Sequence, residues 1–546
     1  MTTISRDSKL PFFILTLLCA VIYFSGLFVL PVTNRDEARF AQASKQMLQS
    51  HNYVEINFQD KPRHLKPPGI YWLQALSVKL FSAKVLNRIW AYRLPSLLGA
   101  WLSVLLLFGL SRRWVGNHCA FFAAAVLAAS PLLVIMGHLA TTDAAQLVAM
   151  VLMQFGLMRL YLTDHAKKSN YNWLLFWLGM ALGVLIKGIT PLIGLLTLFT
   201  LCIIDRKSGL WRNVKFFRGV AIVLLLTLAW LIPFSLAGKS NFLWDMIHGD
   251  VLPKLAHGQQ THGAPPGYYL IIYFVCFFPF CLATTAMIIH AINYRRQAIV
   301  KFLLAWIIPN WLIYAIIVTK MPEYILPLFP ALALLMVMSL REHLIVSKLW
   351  RIVFIINSLL WAVAEIIISF APIWLNHFMQ HRVNVITWIF AVISLVLCVV
   401  IATLFIQRRF KSFIILSIAS NTLLFVLLLQ FILPAMDNLW LTEKINVLLK
   451  QHTIQLTAQR PLLVNGSNRG YGEPSLVFRI GTDKIKNVTL QQLIDAFKHK
   501  SNQVALLSQK SLKTLSARGV NYTIVDCKKG FRYNGGYFVT ICLLKN

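Results

Sequence analysis

Two carboxylates follow directly after the first apolar segment, at a place where they could act on a substrate at the membrane surface. Asp36 and Glu37 open the run 36–42, which also contains Arg39. A carboxylate in this position can serve as a general base. The same two acids would also suit the first turn of a helix capped by Asn34. Asp36 and Glu37 are therefore candidate catalytic residues, with the start of an amphipathic helix lying on the membrane as the alternative role.

A lysine next to a rigid turn is the second candidate. Lys66 precedes a Pro-Pro-Gly sequence at 67–69, which predicts an extended turn. In such a turn Lys66 would either anchor in lipid headgroups or bind a phosphate. Lys320 and Tyr324 occupy another turn and have the same two options, interfacial anchoring or phosphate contact.

Further candidates lie at a helix junction and in a histidine-containing loop. Asp143 stands where one apolar segment ends and the next begins, either as a helix cap or as part of a site. His248, His257 and His262 fall in or beside the loop 238–267 and could ligate a metal together with an acid. Solvated or hydrogen-bonded histidines are the alternative.

The composition determines which elements position these residues. Of 546 residues 58% are hydrophobic and 13% are charged, against roughly 25% charged in a soluble domain. The formal charge of +33 could indicate nucleic acid, but the basic residues sit in short runs between long apolar stretches. We therefore predict an all-α polytopic membrane protein without a nucleic-acid partner, in contact with membrane lipid.

Thirteen apolar runs are long enough to be candidate spans. Lysine and arginine are concentrated in one set of short connections, while the alternate set holds only Lys187, Lys320 and Arg382 outside the two long loops. This bias predicts a cytoplasmic N-terminus and, with an odd number of spans, an outer C-terminus. The predicted spans are about 11–31, 94–111, 118–137, 144–162, 171–186, 189–204, 216–237, 268–291, 301–319, 324–340, 351–372, 383–406 and 412–434.

The acids mark one face of this predicted bundle. The chain has only 19 Asp and Glu residues. Glu365 lies within a span and is a functional candidate without an assigned role. The acids predicted on the outer side of the membrane part are Asp36, Glu37, Glu55, Asp60, Asp143, Asp245, Asp250 and Glu323.

The tail from 436 to 546 has a different composition and predicts a small α/β domain. It contains a helical segment at 490–499 and two strand-like runs at 522–525 and 537–544. We therefore expect a membrane domain over 1–435, with outer loops 32–93 and 238–267, and an outer α/β domain over 436–546. The expected hairpin register argues against a disulfide between Cys527 and Cys542.

In this order and sidedness the motifs resemble the bacterial glycosyltransferases of the C superfamily related to protein O-mannosyltransferases. The chain is most similar to the lipid A 4-amino-4-deoxy-L-arabinose transferase group. The resemblance rests on 36–42, 66–72, Thr142-Asp143, 258–269 and 324–327.

The resemblance implies a sugar donor linked to undecaprenyl phosphate and an acceptor on the periplasmic side, lipid A or a similar envelope molecule. It places the protein in the bacterial inner membrane with the C-terminal domain in the periplasm. It implies that Asp36 and Asp143 are the catalytic acids. Lys66, Arg39 and Tyr324, with Lys320 as a further cation, would hold the donor phosphate, and His262 and Tyr71 would lie in the acceptor and loop region.

One position departs from the family pattern. Leu65 stands where these transferases usually carry a glutamate associated with a bound metal. Whether the protein binds a divalent metal therefore stays open, and His64, His257 and His262 are the candidate ligands.

Three other functions compete with this interpretation. A protein O-mannosyltransferase-like enzyme would use a related donor and a protein acceptor. A transporter or flippase for a lipid-linked glycan would need polar groups through several spans. An envelope scaffold would explain the outer domain but not the clustered acids and cations.

Overall fold

The computed structural model describes residues 9–33, 35–163, 171–206, 209–237, 241–256, 263–341, 347–465, 471–533 and 536–546. The candidate cap Asn34 and the candidate ligands His257 and His262 lie outside these ranges.

Most of the described chain is a bundle of apolar helices. Eight helices in the described part are long and apolar enough to cross a membrane, and a ninth span is formed if the pair Asn117–Ala129 and Pro131–Gly137, bent by 60°, is counted as one. The chain is therefore a multi-pass helical membrane protein, as predicted, and the count of thirteen spans stays a prediction. The eight helices are Ile89–Val115, Asp143–Leu162, Leu210–Ala237, Ala298–Ile316, Pro322–Ser339, Lys348–Gln380, Val385–Ile406 and Phe410–Ile432; shorter apolar helices are Leu10–Phe24, Asn172–Lys187, Thr190–Ile204 and Phe280–Asn293.

Small residues bring two of these helices into close contact. A Cβ atom on Gly156 would lie 2.5 Å from the backbone nitrogen of Phe176, and one on Gly179 would lie 2.6 Å from that of Met153. Only glycine permits this approach of two backbones. The helices Asp143–Leu162 and Asn172–Lys187 therefore pack side by side. Because they run in opposite directions, the first residue of one lies near the last residue of the other.

The first outer loop folds into two helices, Arg35–Ser50 and Gly69–Phe81, with the short strands Asn57–Phe58 and Lys61–Pro62 between them. The first helix is amphipathic, as predicted. Its apolar face is covered by protein, since Ala38, Phe40 and Met47 are all buried. The expectation that this face rests on the membrane is therefore wrong.

A buried ion pair fixes this loop to the bundle. The Arg93 guanidinium contacts Glu37, with Nε 2.7 Å from Oε1, and its other nitrogens donate to the carbonyls of Leu30 and Pro31. Both charged side chains are fully buried. Burial raises the pKa of Glu37, but the charge and hydrogen bonds of Arg93 more than offset this, so the pKa lies below its ordinary value.

The C-terminal part contains a five-stranded mixed sheet covered by helices. In spatial order the strands are Ile485–Asn487, Leu462–Val464, Val504–Ser508, Tyr537–Lys545 and Thr523–Arg532. The first three are parallel and the last two pair antiparallel. The predicted α/β architecture is confirmed, while the boundary at 435/436 stays a prediction. The helices are Leu441–Gln451, Pro474–Ile480, Leu490–His499 and Gln509–Ser516.

The hairpin at the edge of this sheet overturns one expectation. Cys527 pairs with Cys542 in the register and forms a disulfide with it. The register pairs Arg532 with Tyr537, and counting from this pair along both strands brings Cys527 opposite Cys542. The sequence predicted a turn centred near residues 532–534, which would pair Cys527 with a residue at about 537–540 instead of Cys542.

Glu365, the acid within a span, lies between two helices. It is buried and accepts hydrogen bonds from Ser369 Oγ at 2.6 Å and Ser394 Oγ at 2.9 Å. Ser369 belongs to its own helix, Lys348–Gln380, and Ser394 to the next, Val385–Ile406. The carboxyl group therefore makes a polar contact between these helices.

Candidate active site

A cavity of about 210 Å³ opens where the first outer loop, the second outer loop and three helix ends meet. Its lining is dominated by ionisable side chains, five cationic and four acidic among the described residues. They are Asp36, Arg39, Arg63, Lys66, Asp143, Lys187, Asp250, Lys254 and Glu323. Phe40, Leu65, Met136 and Tyr324 add apolar or aromatic walls.

Lys66 is paired with an acid from the second outer loop. Its Nζ lies 2.5 Å from Asp250 Oδ2, and Lys254 Nζ lies 2.7 Å from the other oxygen of the same carboxylate. Gly69 lets the turn at residues 67–69 lie close to Leu185, since a Cβ atom on Gly69 would be 2.6 Å from the carbonyl oxygen of Leu185. The turn therefore packs against the end of the helix Asn172–Lys187.

The protonation of this pair follows from its surroundings. Burial lowers the pKa of Lys66, and the positive charge of Lys254 lowers it further, to about 7 despite the opposing effect of Asp250. Burial raises the pKa of Asp250, but the two lysines outweigh it and leave the pKa below its ordinary value. A phosphate entering the cavity would meet two ammonium groups that share a single carboxylate.

Asp143 and Lys187 form a second pair on the opposite wall. Lys187 Nζ donates to Asp143 Oδ1, and both side chains are about nine-tenths buried, with 9% of each exposed. Lys187 Nζ also lies 5.5 Å from the centre of the Tyr324 ring. The glycine contact between the two antiparallel helices brings these residues together. The sequence placed Lys187 on the outer side but gave it no role, and Asp143 had no adjacent cation in sequence.

Asp36 and Arg39 line a third wall, one turn apart on the helix Arg35–Ser50. Arg39 Nη1 lies 3.7 Å from Asp36 Oδ1, and the Asp36 side chain is 47% exposed. Burial lowers the pKa of Arg39 to about 10, with contributions from Arg35 and Arg63. Asp36 is thus an accessible carboxylate beside cations, the arrangement needed for a group that contacts an incoming substrate.

Among the described residues, three of the predicted catalytic, phosphate-binding and acceptor residues do not line this cavity. Glu37 is enclosed with Arg93, as described above. Tyr71 is fully buried behind Phe40, with ring centres 5.4 Å apart. Lys320 is also buried and donates to the carbonyls of Ala315 and Ile317, at the end of the helix Ala298–Ile316. We therefore assign these three residues to holding the cavity walls.

Arg63, Lys187, Asp250 and Lys254 were not identified from the sequence as site residues. One feature of the sequence pointed to Asp250, which is an acid predicted on the outer side. A second feature pointed to Lys187, which is one of few cations in the short outer connections. Neither feature indicates which residue the side chain pairs with, because that residue comes from a different part of the chain.

His64 lies outside the cavity and pairs with another residue. Its Nδ1 lies 2.8 Å from Asp245 Oδ2. Among the described residues no group of three or more His, Cys, Asp or Glu side chains is arranged to hold a metal ion. His257 and His262 are not among those residues, so their part in a metal site stays a prediction.

A second cavity, of about 1000 Å³, adjoins the first. Arg39, Arg63 and Leu65 contribute to both cavities, so these residues form the wall between them. The remaining walls of the larger cavity come from the first loop, from residues 244, 245, 248 and 249 of the second and from residues 485–487 of the C-terminal sheet. The two cavities could therefore receive two substrates from different directions.

Comparisons with known proteins agree with this architecture. The family model described as dolichyl-phosphate-mannose-protein mannosyltransferase matches residues 65–232. The crystal structure of ArnT from Cupriavidus metallidurans bound to undecaprenyl phosphate superposes with a TM-score of 0.76 at 19% identity, covering 98% of both chains. The structure of the same protein in the apo state gives a TM-score of 0.74, covering 97% of both.

Two curated relatives have the same name. Undecaprenyl phosphate-alpha-4-amino-4-deoxy-L-arabinose arabinosyl transferase of Enterobacter sp. (strain 638) is 25% identical over 64% of this chain and 64% of its own length. The protein of that name from Pseudomonas aeruginosa (strain UCBPP-PA14) is 26% identical over 59% of each chain. The matches thus span less than two thirds of these relatives' lengths.

The helical bundle and the C-terminal sheet have the fold of the ArnT structure, and part of the bundle matches the family model described as dolichyl-phosphate-mannose-protein mannosyltransferase. In sequence the chain is similar to the aminoarabinose transferases named above, so the resemblance indicated by its motifs is confirmed.

Proposed function

We propose that this protein is an integral membrane glycosyltransferase that moves a sugar, an amino sugar in our assignment, from an undecaprenyl-phosphate donor to lipid A or another envelope acceptor. The observation that carries the proposal is the cavity in which Asp36, Lys66 and Asp143 meet at the outer helix ends. The names of the relatives support the donor class. The location that follows is the bacterial inner membrane, with a cytoplasmic N-terminus and a periplasmic C-terminal domain.

The reaction exchanges one bond at the sugar for another. The bond between the anomeric carbon and the donor phosphate oxygen breaks, and its electron pair leaves with undecaprenyl phosphate. An acceptor oxygen forms the new bond to the same carbon. Lys66 and Lys254 both line the cavity and are placed to neutralise the phosphate as its charge develops. Arg39 supports them from the neighbouring wall.

Asp36 would act on the acceptor. If the acceptor is a hydroxyl, Asp36 takes its proton as general base. If the acceptor is a lipid A phosphate, it is already anionic and Asp36 orients it or stabilises positive charge on the sugar. Asp143, held by Lys187, keeps the opposite wall in place and is the second acid of the site. Arg39 and Arg63 line both cavities and could guide an anionic acceptor from the larger one.

A divalent metal fits the described residues poorly. His64 and Asp245 supply one imidazole and one carboxylate, but Leu65 supplies no donor atom. The proposed reaction has no step that uses a metal.

A transfer assay tests the proposal. The full-length protein in vesicles would receive undecaprenyl-phosphate-linked aminoarabinose and lipid A, and mass spectrometry would follow the lipid A product. We expect Lys66→Met to lower the rate by at least about 100-fold, as for removal of a group that stabilises a transition-state anion. Lys79→Met, at an exposed position on the helix Gly69–Phe81, is the matched control. Equal rates in both variants would exclude Lys66 as a phosphate ligand.

The match to the mannosyltransferase family model favours a second candidate, transfer to a protein hydroxyl. Mass spectrometry of lipid A and of periplasmic proteins from a strain lacking the gene separates the two. A lost protein glycan with unchanged lipid A would replace the first proposal with this one. If neither changes while an intact lipid-linked sugar accumulates on one side of the membrane, the protein is a transporter.

A further inference from the structure

A third cavity lies where the C-terminal domain meets the outer ends of two apolar segments. It has a volume of about 370 Å³ and is lined by residues 28–32, by residues 87–90 and by Glu443, Phe478 and Arg479. Ile89 begins the helix Ile89–Val115, which is long enough to cross a membrane. The cavity therefore lies at the level where lipid headgroups meet water.

One side of this cavity is apolar and open. Phe28 and Val29 are 62% and 43% exposed, although both are large apolar residues. The Phe28 and Trp90 rings pack edge to face with centres 5.3 Å apart. Tryptophan is enriched at membrane interfaces, where its ring contacts lipid close to the headgroup. This side is suited to the first carbons of an acyl chain.

The other side carries two arginines and one acid. Arg88 is exposed and has no ion pair among the residues that the structure describes. Arg479 Nη2 lies 3.0 Å from Glu443 Oε2, and Nη1 donates to the Asn87 carbonyl oxygen at 3.3 Å. Its Nε is buried and has no acceptor within the described part of the chain. The cavity thus has a net positive charge and unused guanidinium donors, which suit a phosphate.

We propose that this cavity binds the headgroup of an anionic glycerophospholipid from the outer leaflet. Arg88 and Arg479 contact the phosphate, and Phe28 and Trp90 contact the adjoining acyl carbons. The site is separate from the proposed donor and acceptor cavities, with which it shares no lining residue. Its volume lies within the range of about 300–1,000 Å³ that is usual for small-molecule sites.

A lipid in this position would join two parts of the protein. Glu443 and Arg479 belong to the C-terminal helices Leu441–Gln451 and Pro474–Ile480. Leu30, on the opposite wall, accepts a hydrogen bond from Arg93 at 2.7 Å, and Arg93 also holds Glu37. The bound lipid therefore lies beside the contacts that fix the Asp36 helix, and we expect it to stabilise the junction of the C-terminal domain with the bundle.

Native mass spectrometry of the full-length protein tests the site. The protein, purified in detergent, is titrated with phosphatidylglycerol, phosphatidylcholine or inorganic phosphate. We expect tightest binding of phosphatidylglycerol, and about tenfold weaker binding of it in Arg88→Gln, the loss of one charged contact. Lys84→Gln is the matched control, because it removes one exposed positive charge from the same loop without touching the cavity.

Each outcome of the titration either supports or overturns the lipid site. Weaker phosphatidylglycerol binding in Arg88→Gln but not in Lys84→Gln supports the site. Equal binding in the wild type and Arg88→Gln overturns it, and so does an equal loss in both variants, which would indicate unspecific attraction to the positive surface. Phosphatidylcholine binding as tightly as phosphatidylglycerol, or displacement of the lipid by millimolar inorganic phosphate, would overturn the assignment to an anionic lipid.

Discussion

Lys66 and Asp250, 184 positions apart in the chain, meet at the wall of the cavity with Nζ 2.5 Å from Oδ2. The carboxylate is shared with Lys254, at 2.7 Å. Three charges from two outer loops are thus linked before any substrate enters. A donor phosphate would take the place of part of this contact, which makes the protonation of Lys66 a determinant of donor binding.

The first prediction concerns the pH dependence of transfer. Because the pKa of Lys66 is lowered to about 7, the lysine loses its proton as the pH rises through that value. We expect kcat/KM for the donor to fall over the same range. In Asp250→Asn the carboxylate that favours the charged lysine is gone, so the fall should move to lower pH. Initial rates between pH 5.5 and 9 provide the measurement.

Lys66→Arg is the control for that profile, since a guanidinium stays charged throughout this range. Its rate should vary less with pH than that of the wild type. An identical fall in both proteins would assign the titration to another group.

The second prediction concerns Asp36 and depends on the acceptor. General-base catalysis contributes about 10²–10⁴-fold. With a hydroxyl acceptor, Asp36→Asn should therefore lose nearly all activity. With a lipid A phosphate, which needs no deprotonation, we expect about tenfold loss or less. Single-turnover transfer to lipid A carrying or lacking its phosphates distinguishes the two, and the same large loss with both acceptors would contradict the phosphate mechanism.

The third prediction concerns the buried pair of Asp143 and Lys187. Removing one partner leaves an uncompensated buried charge, which typically costs about 3–5 kcal/mol. Asp143→Asn and Lys187→Met should each lower the thermal stability of the purified protein, and the double variant should recover part of it. Thermal unfolding in detergent, followed by tryptophan fluorescence, measures the three variants. Additive losses in the double variant would show that the two side chains do not interact.

The fourth prediction concerns the disulfide between Cys527 and Cys542. Its sequence separation is 15 residues, and closing a loop of that length stabilises a fold by about 3 kcal/mol in the chain-entropy model. We expect Cys527→Ser to lower the unfolding temperature of the C-terminal domain. In the wild type without reduction, an alkylating reagent should modify neither Cys527 nor Cys542. Cys398→Ser, at a buried cysteine of the bundle, serves as the control. Labelling of Cys527 without prior reduction would contradict the disulfide.

Local pattern explains what could be predicted. Runs of apolar residues identify membrane helices whatever their neighbours, because a lipid environment requires each backbone polar group to be satisfied within its own segment. The helix Leu490–His499 is likewise predictable from the helical spacing of its apolar residues and from the capping box of Thr489 and Gln492. Asp36, Lys66 and Asp143 were identifiable because polar residues at the ends of apolar segments are conspicuous.

The pairing of these residues could not be predicted from the same patterns. The disulfide depended on where a turn is centred, and a displacement of one or two residues changes every partner along the hairpin. The burial of Glu37 depended on Arg93, 56 positions away. Adjacent acids in sequence, Asp36 and Glu37, therefore have different surroundings, one open to the cavity and one enclosed.

From its patterns alone the chain was identifiable as a membrane protein, with Asp36, Lys66 and Asp143 as candidate site residues. The tertiary structure decided that Lys66 shares Asp250 with Lys254, that Asp143 is held by Lys187, and that Lys320 and Tyr71 stand behind the cavity. The physical reason is that charge is a property of each residue, whereas burial and pairing depend on which helices approach closely. Contacts such as those at Gly69, Gly156 and Gly179 fix that approach across the chain.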